Sequence, residues 1–333
     1  MTPRTVRAAL IVGLALCAAP IAARAQLSGN AVACAGATPV VADACQKARD
    51  LFAFAAPQVA VALAGGDAVL GDGSTLGGLG KASLAVRATG LFGAIPRNGS
   101  INVSAGGARA SDIATQSRLI PAATIEGAVG VLPGLLVGLT RVGGVDVLFN
   151  ATYVPETRVG TFDLSNDGRS SEFGYGVRVG LLQESSVVPG VAFTWVRRRL
   201  PTSRVGLIDG NDTLTVRSLA LSADAWRAVV SKRFLMLGLA AGIGQDAVDA
   251  QAIVSAVVND GGRRYALSDV ILGDTPRRTN AFLDASFGLG GIRLVGEVGR
   301  SFAASPRDVL NAFGGRTPGG AFNYASVGLR LGN

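Results

Sequence analysis

The feature that most limits what this chain can fold into is a two-residue rhythm. From about Lys81 onward it recurs in segments of ten or more residues. Phe173, Tyr175, Val177, Val179 and Leu181 are apolar, with Gly174, Gly176, Arg178 and Gly180 between them. Leu235, Leu237, Leu239, Ala241 and Ile243 repeat the arrangement against Gly238, Gly242 and Gly244. Ala281, Leu283, Ala285, Phe287 and Leu289 alternate with Asn280, Asp284, Ser286 and Gly288. Near the end, Ala325, Val327, Leu329 and Leu331 oppose Tyr324, Ser326, Gly328 and Arg330. Successive side chains of a strand point to opposite faces, so each segment has one oily face and one small or polar face. Strands of about 9–11 residues with such dyads are what a barrel in lipid requires. A soluble sandwich also alternates. These segments, however, are longer than the roughly 5–6 residues of ordinary globular strands, and their second face carries Gly, Ser and Arg rather than Lys and Glu.

Connection lengths sharpen the expectation. Strands are predicted near 81–91, 120–131, 144–154, 172–182, 190–199, 214–232, 234–245, 278–289, 291–302 and 321–332. The connections 92–119, 155–171, 200–213, 246–277 and 303–320 are long and polar. Those between, at 132–143, 183–189, Arg233 and Gly290, are mostly short. Bacterial barrels put short turns in the periplasm and long loops outside the cell. A hairpin starting at 251–258 and extra inner strands at 135–141 would raise the count. The fold class is therefore all-β: an antiparallel transmembrane β-barrel of 10–14 strands, spanning 81–333.

The first 26 residues place that barrel. Arg4 and Arg7 form a basic start, 8–19 is a short apolar run, and Ala23-Arg24-Ala25 offers a small-x-small cleavage site. This is the pattern of a secretory signal peptide, 1–25, too short for a spanning helix. Cys17 opens a lipoprotein alternative, but Leu16 before it is bulky where lipid attachment wants a small residue. Only 16% of residues are charged, against roughly 25% in a soluble domain. An apolar, exported chain without long helices leaves a transmembrane barrel or a large soluble β-protein. The expected location is the outer membrane of a Gram-negative-type bacterium.

Residues 26–80 follow another pattern. A short helix is predicted at 42–54 and a strand at 58–63, before a glycine-rich stretch through Gly80. Cys34 and Cys45 are the two cysteines after the signal, and in an oxidising compartment they read as a disulfide. Such a loop contributes up to about 3 kcal/mol in the entropy model. The segment is expected to plug the lumen or to hang in the periplasm.

The order of parts, with Gly65-Gly66-Asp67-Ala68 and Ser74-Thr75-Leu76 ahead of the strands, resembles the outer-membrane long-chain fatty-acid transporter family. So do the Ile120-Pro121-Ala122 strand entry and the Tyr153-Val154-Pro155 exit. The resemblance implies an N-terminal plug, and hydrophobic substrates that pass through the barrel and leave sideways into the membrane.

Chemistry is marked by what is missing. The chain has no histidine, so a serine nucleophile paired with a histidine base cannot be assembled, and zinc lacks its commonest nitrogen ligand. No enzyme activity, cofactor or metal is expected. Arg87, Arg178, Arg293, Glu297 and Arg330 fall on inward positions, because a charge facing hydrocarbon costs about 2–4 kcal/mol at mid-membrane. They either pair across the lumen or make a weakly anion-attracting passage. Arg197-Arg198-Arg199 follows Trp195 at the expected outer rim, as lipid-phosphate ligands or as unpartnered rim charges. The expected partners are outer-membrane lipids, a hydrophobic small-molecule substrate and the barrel-assembly machinery, and not nucleic acid. Passive transport of small hydrophobic molecules such as fatty acids is the leading function. A structural or surface-displayed barrel and a soluble ligand-binding periplasmic β-protein are the alternatives.

Overall fold

The computed structural model describes residues 38–332 apart from 98–100, 102, 155, 160–161, 210–211, 261 and 305–308. The signal peptide, Cys17 and Cys34 lie outside the described residues, so the expected Cys34–Cys45 staple does too; Cys45 is buried. The chain forms α1 (Pro39–Ala64), β1 (Ala82–Pro96), β2 (Thr115–Leu132), β3 (Leu135–Val137) and β4 (Thr140–Val142). Next come β5 (Gly144–Tyr153), β6 (Thr157–Val159), β7 (Phe162–Asn166), β8 (Ser171–Leu182), β9 (Gly190–Asp209) and β10 (Asp212–Phe234). The rest is β11 (Leu237–Asp260), β12 (Arg263–Asp274), β13 (Arg277–Leu289), β14 (Ile292–Ser301) and β15 (Phe322–Gly332).

Ten of these strands close a ring. The order is β10-β11-β13-β14-β15-β1-β2-β5-β8-β9, and β9 pairs back onto β10. Every neighbouring pair is antiparallel, and the seam between chain ends runs from Ser83↔Gly332 to Phe92↔Asn323. All ten predicted strands are present.

The rhythm of the sequence becomes the two faces of the wall. Leu283 is 61% exposed on the outside, and its neighbour Asp284 is 3% exposed within. Leu239, Ile243, Val298 and Val327 are likewise more than half exposed, and among the described residues no second β-layer covers them. That removes the soluble-sandwich alternative, since this much uncovered apolar surface is stable only against lipid. A ten-residue strand such as β14, at about 3.3 Å per residue and tilted about 40°, spans roughly the 25 Å apolar band of an outer-membrane barrel. Aromatic residues mark one margin of the belt. Trp195 lies opposite Trp226 in the β9–β10 register, Tyr175 meets Trp195 edge-on at 5.8 Å, and Phe193 stacks on Trp226 at 5.9 Å.

Two connections differ from expectation. Residues 200–213 and 246–277 are not open loops. There β9, β10 and β11 continue past the ring, with β7 replacing β8 beside β9 and β12 replacing β13 beside β11. The extensions persist because their inner face has something to bury. Leu221, Val248, Val254, Val258, Leu267 and Leu272 pack on Val40, Ala44, Ala48, Phe52 and Ala60 of α1. The tight connections 235–236 and 290–291, with 183–189 and the β3–β4 ribbon, lie at the other end, which the short-turn rule assigns to the periplasm.

α1 is a second correction. One 26-residue helix replaces the expected short helix and the strand at 58–63. Pro39 sits in its first turn, where the missing N–H costs nothing. Pro57 removes the helical donor to the Ala53 carbonyl, and one residue on Gln58 adds a bond of its own, its Nε2 donating to the Phe54 carbonyl at 3.1 Å. Buried residues occur on nearly every side of α1, as expected of a helix enclosed by other elements. No helix among the described residues is long and apolar enough to cross a membrane.

Candidate functional site: the filled lumen

α1 descends from the strand extensions into the ring, and residues 65–80 continue towards the inner end where β1 begins. Five arginines from five strands grip this segment. Arg227 (β10) donates from Nη2 to the Ala64 carbonyl at 2.6 Å and from Nε to Gly66 at 2.8 Å. Arg198 (β9) reaches the same Ala64 carbonyl at 3.2 Å. Two guanidinium groups thus meet the carbonyl end of α1, where the helix dipole favours positive charge. Lower down, Arg87 (β1) donates to the Asp67 carbonyl, Arg330 (β15) to Leu70 at 3.5 Å, and Arg178 (β8) to Asp72 at 3.2 Å.

Each of these five guanidinium groups also has a carboxylate. Glu126 (β2) joins Arg87 at 3.0 Å and Arg198 at 2.8 Å, across the lumen. Asp146 (β5) takes Arg178 at 2.7 Å and also accepts the Leu76 N–H at 3.1 Å. Asp246 (β11) pairs with Arg227 at 2.5 Å, and Asp72 with Arg330 at 2.9 Å. Glu297 (β14) accepts the Asp67 N–H at 2.6 Å and the Ser326 hydroxyl at 3.1 Å. Gly66 must be glycine: its φ is +89°, and a Cβ there would lie 2.1 Å from a Glu297 oxygen. Burial, and then the Glu297 charge, push the Asp67 carboxyl up to about 7. Burial acts the same way on Asp72, but Arg330 and Arg178 outweigh it and hold that carboxyl below its ordinary value.

Above the polar ladder lies an apolar band. Val61 and Ala62 of α1 pack on Leu91, Val229, Ala240, Phe282 and Tyr324 of the inner wall. Phe282 and Tyr324 break the polar rhythm of their strands because the helix end covers them. At the outer mouth, Asp50 accepts N–H bonds from Leu310 at 3.0 Å and Asn311 at 2.9 Å, and Phe54 stacks on Phe313 at 4.3 Å. Asp43 accepts the Ser104 and Arg109 N–H groups at 2.6 and 3.1 Å. Two outer loops are thereby tied over α1. The lumen-side cavity beside Val69, Ala128, Glu126 and Arg330 has a volume of about 10 Å³, room for one water.

Of the charges expected to face inward, Arg87, Arg178, Glu297 and Arg330 are buried in this ladder. Arg293 is half-buried nearer the inner rim, donating to the Ser286 hydroxyl at 3.2 Å. The arginine triplet does not act as one surface. Alternate residues of a strand face opposite sides, so Arg198 points into the lumen, while Arg197, 3.8 Å from Asp224, and Arg199 point outward. β9 runs on past the triplet to Asp209, but its pairing with β8 ends at Arg197, so Arg197 and Arg199 stand at the edge of the ring. Arg227, Glu126 and Asp146 went unnoticed in the sequence, although each sits at an inward position of its strand; Asp246, expected as a solvated charge of an outer loop, is instead buried on the inner face of β11.

These features define a closed, ten-stranded β-barrel of the outer-membrane kind, with its own N-terminal chain packed inside. No family model and no curated protein matches the chain. Among solved structures it is similar to a deletion mutant of TodX, a monoaromatic hydrocarbon channel, at 10% identity and TM-score 0.29, over 76% of this chain and 66% of that one. It is also similar to a Pseudomonas aeruginosa FadL homologue, at 9% identity and TM-score 0.27, over 80% and 95%. An anion-selective porin from Comamonas acidovorans shares 12% identity with TM-score 0.19, over 75% and 98%. At such values these likenesses add nothing to what the strand registers establish.

Proposed function

We propose that the protein passes small hydrophobic molecules such as fatty acids passively across the outer membrane, with the N-terminal segment as a movable stopper. The observation that carries this reading is a pair of apolar surfaces back to back. Inside, Val229, Ala240 and Phe282 lie under the end of α1. Outside, on these strands and on the neighbouring β14 and β15, Val230, Ala241, Leu283, Ala285, Gly296 and Ala325 line an open concavity of about 860 Å³. Displacing the end of α1 would uncover this apolar patch of the inner wall beside the charge ladder. Contacts from five guanidinium groups to backbone carbonyls suit a reversible hold, since water can replace each one. The same reading keeps Cys34–Cys45 as a staple on the segment.

The test is uptake of a labelled fatty acid by cells with and without the gene, alongside planar-bilayer recordings. Gene-dependent uptake with no steady ion conductance is expected. Ala285→Trp, which places a bulky ring in the outer concavity, is expected to slow uptake severalfold without affecting insertion. Uptake that ignores the gene overturns the proposal. It would favour the second reading, a surface-displayed structural barrel, for which the strand extensions and tied outer loops are the supporting observation.

A further inference from the structure

The longest inner connection carries a surface that the lumen does not explain. β3 and β4 pair only with each other, through Leu135↔Val142, Leu136↔Arg141 and Val137↔Thr140. Leu135, Leu136, Val137 and Leu139 are 78%, 71%, 56% and 74% exposed, so both faces of the ribbon and its tip are aliphatic. Arg141 is its one charged residue and is exposed. The ribbon is firmly seated at its base. Gly143 N–H donates to the Gly180 carbonyl at 2.8 Å, Gln183 N–H to the Arg141 carbonyl at 2.8 Å, and the Thr140 hydroxyl to the Gln183 carbonyl at 2.6 Å.

An aliphatic ribbon held out into water is unfavourable, and exposed patches of this kind mark a contact. Its surroundings identify the contact. Val129 and Leu132, at the end of β2, and Leu181, at the end of β8, are exposed members of the lipid-facing belt immediately above it. The ribbon therefore continues the oily surface past the rim of the ring. It carries no acidic residue, and its single cation matches the phosphates of a lipid headgroup layer.

We propose that the β3–β4 ribbon lies among the phospholipids of the inner leaflet, its leucines at the acyl boundary and Arg141 on a lipid phosphate. It acts as an in-plane anchor at one point of the barrel's inner rim. This rests on the membrane reading of the belt, which the experiment checks separately. Leu139→Cys, Val298→Cys and Arg264→Cys are each labelled with an environment-sensitive fluorophore. Labelling is done without reductant, with the unsubstituted protein as blank. The labelled proteins are reconstituted in phosphatidylethanolamine–phosphatidylglycerol vesicles with or without bromines on the acyl chains. Probes at 139 and 298 are expected to be quenched by the bromolipid and shielded from iodide, and the probe at 264 to behave oppositely. Quenching at 298 but iodide access at 139 overturns the anchor alone. Failure at 298 overturns the membrane reading. A probe at 139 shielded from both quenchers, or released by added fatty acid, assigns the ribbon to a protein contact or to substrate hand-off, and overturns the anchor as well.

Discussion

Arg227 shows how much one side chain can hold. It caps the carbonyl end of α1, binds Gly66 and neutralises Asp246, all at 1% exposure. Arg227→Ala leaves a buried carboxylate without its partner, a loss of about 3–5 kcal/mol, to be read from urea unfolding in vesicles. A shift below 1 kcal/mol, about the size of a surface pair, would mean that the seated segment contributes little to stability. Asp67 makes the hold depend on pH. Its folded value of about 7 stands above the ordinary 3.8, so the seated state retains a proton that the released state gives up. That contribution is complete below 3.8 and disappears as pH rises through about 7. Amide exchange across 66–72, corrected for intrinsic rates, should be faster at pH 8 than at pH 5, and Asp67→Asn should flatten the difference. An unchanged wild-type profile would refute it.

Among the elements, α1 joins the outer mouth to the ladder. Asp50→Ala leaves the Leu310 and Asn311 N–H groups without their acceptor, costing about 1–3 kcal/mol locally. Exchange at 309–314 should rise while the ring strands stay protected; equal protection in both proteins would show that Phe54 and Phe313 suffice. The strands were legible in the sequence because the sheet period is two and lipid tolerates only one kind of side chain on the outer face. The helix was less so. Pro57 suggested a break that enclosure by the wall overrides, and the helix ends only at Gly65. The hairpin starting at 251–258 was foreseen in the sequence and is β11–β12, whereas the extension over 200–213 was hidden, because nothing along the chain showed that α1 would lie against it. Inward carboxylates such as Glu126 and Asp146 were findable by the rule that located Arg87 and Arg178. Which charges would meet depended on the order in which the ring closes, and spacing along the chain does not contain that.

For the whole molecule, a closed antiparallel ring filled with hydrogen-bonded groups should resist detergent until heated. Unboiled protein is expected to run faster than boiled protein on a denaturing gel, and identical mobility would contradict closure. The inner face of this ring is largely occupied by charge pairs and by its own chain, so its architecture differs from a water-filled porin at the level where function would be read. The sequence carried the barrel, its approximate strand positions and the sign of each face. It did not carry the packed lumen, which arises only when five strands converge on one stretch of backbone.

The seam between β1 and β15 has a consequence for assembly. The helix begins at one mouth, β1 begins at the other, and the loops tied to Asp43 and Asp50 cover the first. In the finished ring these tied loops stand across the mouth through which 26 helical residues would otherwise have to be threaded whole. The earliest-made part of the described chain must therefore already be in place when the final edges zip together, like a letter sealed inside its envelope.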